Sequence, residues 1–173
     1  MHRKTAFLAS AISICALGLI PIASANAQKP PEAAAKTVYR LFTGVNEQLL
    51  TMAEDFPEDK YDYRPKPEMR SFGEVIVHIA SGNVYAAKKG RGEDVKWSEI
   101  DAKNYKTKPE IVALFRKSAE DATAALKAKP EQSFATSLGP WPDVTEHSAE
   151  HYGLLVAYYR LNGLVPPASR PKK

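Results

Sequence analysis

Apolar side chains recur at intervals of three and four residues in four separate segments of the chain. This spacing puts them on one stripe of an α-helix, whereas a half-buried strand would require strict alternation. Each segment therefore predicts an amphipathic helix with one side facing a core. In chain order, the stripes consist of Val38, Leu41, Phe42, Val45, Leu49 and Met52; Phe72, Val75, Ile76, Ile79, Asn83 and Ala86; Ile111, Leu114, Phe115, Ser118, Ala122, Ala125 and Leu126; and Val144, His147, His151, Leu154, Leu155, Tyr158 and Leu161.

Local start signals mark three of these segments. Residues 71–74 and 107–110 carry serine or threonine followed three places later by glutamate, which is the spacing of a capping box. Residues 143–146 place aspartate and glutamate at the same spacing, which predicts a third cap. Prolines or glycines follow every segment and close the helices. The predicted helices are 31–55, 71–90, 107–129 and 143–162.

The four predicted helices define the fold class. Four amphipathic helices and no convincing strand predict an all-α protein, specifically a four-helix bundle. The connection between the second and third helices, residues 90–106, is long. At ~3.3 Å of reach per residue it can cross the length of a bundle, so these two helices could run parallel.

The first 27 residues have the composition of a secretory signal peptide. Arg3 and Lys4 precede an apolar run over 5–23, and Ala25 and Ala27 form an Ala-x-Ala cleavage site. An uncleaved membrane anchor is the alternative, because the apolar run is near spanning length. We favour cleavage after Ala27, which would make residues 28–173 a secreted or periplasmic domain without membrane attachment.

Composition excludes several kinds of chemistry from the predicted mature chain. Cys15 is the only cysteine and lies within the signal segment, so the remainder can form no disulfide and offers no thiolate. Removal of Arg3 and Lys4 lowers the formal charge from +4 to +2, and lysines and glutamates are interspersed. No basic stripe results, so nucleic acid is not an expected partner.

Three histidines remain after the signal segment: His78, His147 and His151. The last two are four residues apart on the apolar stripe of the fourth helix, which puts both imidazoles on one face. Burial of these rings without partners is unfavourable, and a divalent ion shared with His78 would satisfy them. Ordinary hydrogen bonding is the alternative, because this spacing also occurs by chance on many helices.

The histidines also indicate what kind of metal site to expect. Three imidazole ligands leave a fourth position for water or substrate, as at a catalytic zinc site. Nickel, copper and iron also accept imidazole, and zinc and nickel lead this set. Glu150 is not at the position that HExxH zinc proteases require, which excludes that class. Glu146 and Glu150 could orient the ligands or face solvent, and Trp97 is expected, like Trp141, to anchor a loop.

Two stretches of the chain resemble signatures of the DinB-like family. The first is SFGEVIVHIA at residues 71–80, and the second is EHSAEHYG at 146–153, continuing in YYRLNGLVPP at 158–167. The resemblance implies a four-helix bundle whose middle two helices run parallel. It also implies a metal triad of one histidine on the second helix and two on the fourth, which here are His78, His147 and His151.

The resemblance bears on activity and assembly as well. Some relatives are metal-dependent thiol transferases or isomerases, many have no known activity, and members often pair, so a homodimer is a candidate assembly. Small-thiol chemistry is mainly cytoplasmic, whereas this chain is expected to be exported. We therefore expect a metal-dependent hydrolase or transferase acting on an unidentified small molecule. A non-catalytic bundle that binds metal or a ligand is the alternative.

Overall fold

A computed structural model describes residues 33–171 of the chain. Its described residues contain four α-helices and no strand, which confirms the predicted all-α bundle. The predicted signal peptide, residues 1–27, lies outside the described residues. Within residues 33–171, no helix combines the length and the apolarity needed to cross a bilayer. The helices are α1 Ala34–Asp55, α2 Phe72–Gly90, α3 Lys108–Ala128 and α4 Trp141–Leu161, with short 3₁₀ turns at Glu58–Lys60, Ala102–Asn104, Glu131–Ala135 and Pro167–Ser169.

Both predicted serine and threonine capping boxes are present. The backbone N–H of Glu74 donates to Ser71 Oγ at 3.2 Å, and the Ser71 N–H donates back to the Glu74 carboxylate at 2.7 Å. Thr107 and Glu110 make the same reciprocal pair at the start of α3, at 3.4 and 3.0 Å. Each box satisfies backbone donors that a helix start leaves free, which stabilises the helix by about 1 kcal/mol.

The predicted cap at Asp143 is wrong. Helix α4 begins at Trp141, preceded by Pro140, and no side chain caps it, so Asp143 lies in the first turn. Trp141 explains the earlier start, because its ring is fully buried and packs edge-on against Phe42 at 5.3 Å. Trp141 was expected to anchor a loop and is instead the first residue of a core helix.

The predicted parallel arrangement of α2 and α3 is confirmed. Gly73 near the start of α2 lies against Ile111 near the start of α3, and Gly90 at the end of α2 lies against Ala125 near the end of α3. Gly90 also adjoins Trp141, so α4 runs antiparallel to α2. The long connection therefore crosses the bundle, as its length allows.

The core consists of two apolar clusters, one towards each end of the bundle. Phe56, Phe72 and Tyr159 belong to one, and Phe42 and Trp141 belong to the other. Along α4, His147 and His151 lie between the two clusters, whereas His78 on α2 lies among residues of the first cluster. Two leucines of the predicted stripes do not join the core, because Leu41 and Leu161 are 48% and 62% exposed.

Candidate metal centre

The imidazoles of His78, His147 and His151 meet between α2 and α4. One nitrogen from each ring lies within 4.8 Å of the nitrogens of the other two. The ring centroids are 4.8 Å apart for His78 and His147, 4.7 Å for His78 and His151, and 4.5 Å for His147 and His151. The helical spacing predicted the α4 pair, and the fold brings His78 to it from 69 positions away.

The spacing of these nitrogens is compatible with a metal ion. Tetrahedral zinc with Zn–N bonds of 2.0–2.1 Å places neighbouring nitrogens about 3.3 Å apart. His147 Nε2 and His78 Nε2 are 2.9 Å apart, so a small outward movement of the rings would admit an ion. All three donors are imidazoles, which suits zinc, nickel, copper or iron and disfavours magnesium or calcium.

Glu99, which lies on the crossover, is a member of the site that sequence reasoning did not identify. Its Oε2 lies 2.8 Å from His78 Nδ1, and its Oε1 accepts a hydrogen bond of 3.1 Å from Trp97 Nε1. A carboxylate on the far nitrogen of a metal-binding histidine fixes the orientation and tautomer of the ring. Glu99 therefore directs His78 Nε2 towards the other two histidines.

A buried serine holds the crossover in this position. The backbone N–H of Ile100 donates to Ser81 Oγ at 3.0 Å, and Ser81 in turn donates to the Val77 carbonyl on α2. Ser81 lies about one helical turn after His78 on α2. The attachment of Ile100 to Ser81 therefore brings the preceding residue, Glu99, beside the His78 ring.

Trp97 and Gly82 enclose His147 from the crossover and from α2. The Trp97 and His147 rings are 5.0 Å apart in edge-on geometry. A methyl group added to Gly82 would lie 2.8 Å from the Trp97 ring and 3.4 Å from His147 Nδ1. Glycine at this position therefore lets the imidazole and the indole approach the α2 backbone. Trp97 acts as a loop anchor, as predicted, and it also forms one wall of the centre.

The nitrogens of His147 are incompletely satisfied by the protein. His147 Nε2 lies 2.9 Å from His78 Nε2, and the other nitrogen of His78 faces Glu99. His147 Nδ1 is buried and has no hydrogen-bond partner within residues 33–171. Leaving a buried nitrogen unpaired is unfavourable, and this cost is expected in a binding site rather than in a purely structural core.

Electrostatics keep the two α4 histidines uncharged. Burial, followed by the neighbouring imidazoles, lowers the pKa of His151 to about 4. Burial and then His78 lower the pKa of His147 as well, and the Arg70 charge acts on both rings in the same direction. Neutral imidazoles have the free lone pairs that a metal requires. Burial opposes ionisation of Glu99, but hydrogen bonds from His78 and Trp97 outweigh it and leave the pKa of Glu99 below its usual value.

The remaining residues singled out in the sequence divide into solvent-facing and structural groups. Glu146 and Glu150 are exposed, and neither hydrogen-bonds to a histidine in the part of the chain that the structure describes. Tyr158 donates to the Arg70 carbonyl at 2.5 Å, and Tyr159 donates to the Met52 carbonyl at 2.8 Å. Both tyrosines are therefore packing residues with satisfied hydroxyls.

The fold and the histidine cluster agree with the comparison of the sequence with protein families. The DinB superfamily model matches residues 41–159, which extend from α1 to near the end of α4. The chain therefore belongs to the DinB superfamily. Among curated proteins, no significant match is found.

Proposed function

We propose that His78, His147 and His151 hold a divalent metal ion and that the protein is a metal-dependent hydrolase or transferase acting on a small molecule. The convergence of three imidazole nitrogens within 4.8 Å supports this proposal most directly. Their neutral state and the membership in the DinB superfamily add to it. Three protein ligands would leave a coordination position free for water or substrate.

The chain's own residues have distinct tasks in this proposal. Glu99 orients His78, while Trp97 and Gly82 fix the plane of His147. His151 borders an open cavity, so substrate would arrive on its side of the triad. The ion would supply Lewis acidity, which polarises a substrate or activates water.

The proposal extends to location and partners. The signal-like segment at residues 1–27 supports export to the periplasm or the medium, where residues 28–173 would act. The substrate would be a small molecule, and the interspersed charges do not favour nucleic acid as a partner. Two exposed leucines, Leu41 and Leu161, are available to a homodimer contact.

Metal analysis of protein purified without a histidine tag tests the proposal. We expect close to one zinc or nickel ion per chain, and we expect it to be lost in His78→Ala, His147→Ala and His151→Ala. Glu150→Gln is the matched control, because it changes an exposed residue beside His151 and should retain the ion. Circular dichroism would establish that each variant is folded. Equal metal content in the wild type and in the folded alanine variants would refute the site.

A non-catalytic metal-binding bundle is the second candidate, and one observation favours it. The carboxylate nearest the centre, Glu99, is already engaged by His78 and Trp97, so it is not free to act as a general base. In this case chelation would lower the melting temperature by removing the stabilisation that binding provides. Turnover of ester or thiol substrates by the metal-loaded protein, lost on chelation, would decide for the enzyme.

A further inference from the structure

An open cavity of about 490 Å³ lies beside the histidine cluster. Helix α4 contributes His151, Leu154 and Tyr158, and Val75 comes from α2. The loop before α2 completes the lining with Glu68, Met69 and Arg70. His151 thus connects the proposed metal centre to a cavity large enough for a small organic molecule.

Arg70 is placed in this cavity by a fixed backbone. Its carbonyl accepts a short hydrogen bond from the Tyr158 hydroxyl, and the next residue, Ser71, is the N-cap of α2. The side chain is nevertheless uncommitted, because none of residues 33–171 accepts a hydrogen bond from the Arg70 guanidinium.

Four other arginines of the described chain contrast with Arg70, whereas Arg160 is, like Arg70, exposed and without an ion pair among residues 33–171. Each of the four forms an ion pair with a carboxylate: Arg64 with Glu74, Arg91 with Glu93, Arg116 with Glu54, and Arg170 with Asp55. Glu68 shares the cavity with Arg70 but makes no ion pair with it. The guanidinium of Arg70 therefore retains its donors for a ligand.

We infer that Arg70 binds the carboxylate of the substrate, with the body of the substrate lying in the cavity towards His151. This inference rests on the proposed function, since it names the substrate class of the same centre. A guanidinium offers two parallel N–H donors that match the two oxygens of a carboxylate. Met69, Val75 and Leu154 add apolar wall, so the class is a small carboxylic acid with a short apolar body.

Calorimetric titration with a matched pair of probes tests the inference. 3-Phenylpropionate carries the carboxylate, and 3-phenylpropanamide has nearly the same shape without the charge. At pH 7, metal-free wild-type protein should bind the acid about tenfold more tightly than the amide, as expected for hydrogen bonds between charged groups. Arg70→Ala should abolish this preference, and Arg70→Lys should retain only part of it, because an ammonium cannot form the paired contact.

Arg160→Ala is the matched control for this measurement. Arg160 is exposed on α4 and does not line the cavity, so its removal subtracts the same charge elsewhere and should leave the preference intact. A preference that survives in folded Arg70→Ala protein would overturn the inference.

Titrations of the metal-loaded protein separate this inference from the proposed function. A preference that appears only with zinc bound and vanishes in His147→Ala would mean that the carboxylate binds the ion, which overturns the role of Arg70 and leaves the metal site standing. A preference that depends on Arg70 in a protein that binds no metal would support the carboxylate site and overturn the proposed function.

Discussion

Helix α4 carries two pairs of buried or half-buried rings, and the two pairs differ in whether the chain provides hydrogen-bond partners for their polar atoms. Towards its end, Tyr158 and Tyr159 donate to the carbonyls of Arg70 and Met52, and Tyr159 also reaches Asp55 at 3.1 Å. In the middle of the helix, His147 has a buried nitrogen with no partner in residues 33–171. His151 hydrogen-bonds to nothing in the same described stretch.

The difference separates structural polar atoms from binding ones. Both pairs lie on the same helix and pack against α2, so helix propensity and general burial do not account for it. Both tyrosine hydroxyls donate to acceptors of the chain, so the polar atoms at that end of α4 need no further partner. Among the histidines, His147 Nε2 faces only another imidazole, and His151 makes no hydrogen bond within residues 33–171, which leaves these rings suited to a group that the chain does not provide.

Removal of a tyrosine hydroxyl should give the largest change in stability. In Tyr159→Phe, the hydrogen bonds to the Met52 carbonyl and Asp55 are lost from a fully buried position. We expect a loss of about 1–2 kcal/mol in the free energy of unfolding, measured by urea denaturation of metal-free protein. Metal content should not change, because no atom of Tyr159 belongs to the centre.

His147→Leu is the corresponding variant in the histidine pair of α4. It removes the unpaired Nδ1 but also the hydrogen bond of Nε2 to His78, and these two losses act in opposite directions. The stability of metal-free protein should therefore change less than it does in Tyr159→Phe. Its metal binding should be lost. If His147→Leu destabilised the metal-free protein as much as Tyr159→Phe does, the contrast between the two pairs would not hold.

The next effect concerns the residue that orients His78. Glu99→Gln keeps the shape of the side chain but weakens the hydrogen bond that fixes the imidazole. We expect metal affinity to fall by roughly tenfold or more, which a competition titration with a chromophoric chelator would measure. Glu93→Gln, at an exposed crossover carboxylate paired with Arg91, is the control and should leave the affinity unchanged.

The smallest effect is a pH dependence of stability in metal-free protein. The pKa of His151 is lowered to about 4 in the fold, mainly by burial. Between pH 6.5 and 4 the unfolded chain therefore binds a proton that the folded chain does not, and stability falls as the pH falls through this range. Because the ring is only half-buried, we expect well under about 1 kcal/mol per pH unit.

His151→Gln should reduce this slope, whereas Tyr159→Phe should leave it unaltered. Asp55 does not interfere, because the hydrogen bond from Arg170 lowers its pKa from 3.8 and its contribution is lost only at lower pH. Urea midpoints at pH 7, 6 and 5 would measure the slopes. Identical slopes for the wild type and His151→Gln would contradict the assignment to His151.

Short-range patterns predicted much of this fold. The capping boxes at Ser71 and Thr107 depend on residues three positions apart, so the chain itself specifies them. The start of α4 depends instead on where the Trp141 ring finds a buried position against Phe42, which is a tertiary contact. Helical periodicity likewise placed Leu161 on the inner stripe, but the buried side chains at this end of α4 are those of Leu155, Tyr158 and Tyr159, and Leu161 is exposed.

In the candidate site too, the sequence predicted contacts within one helix but not contacts between distant segments. His147 and His151 are one turn apart, so their proximity follows from helix geometry. Glu99 meets His78 from 21 positions away, on a crossover without periodicity, and its neighbour Ile100 is fixed by a hydrogen bond to Ser81. Arg70 likewise lies at the cavity where Tyr158 donates a hydrogen bond to its carbonyl, 88 positions away in the chain. Neither the contacts of Glu99 nor those of Arg70 have a local signature in the sequence.

The separation of 69 positions between His78 and His147 has a consequence for how the chain could be held together. An ion shared by these two rings would close a loop of that length, as a disulfide would, in a chain whose only cysteine is Cys15. Unlike a covalent bridge, such a fastening would open and re-form with the supply of free metal. The concentration of free metal around the protein, and not the redox potential, would then determine how tightly α2 and α4 are joined.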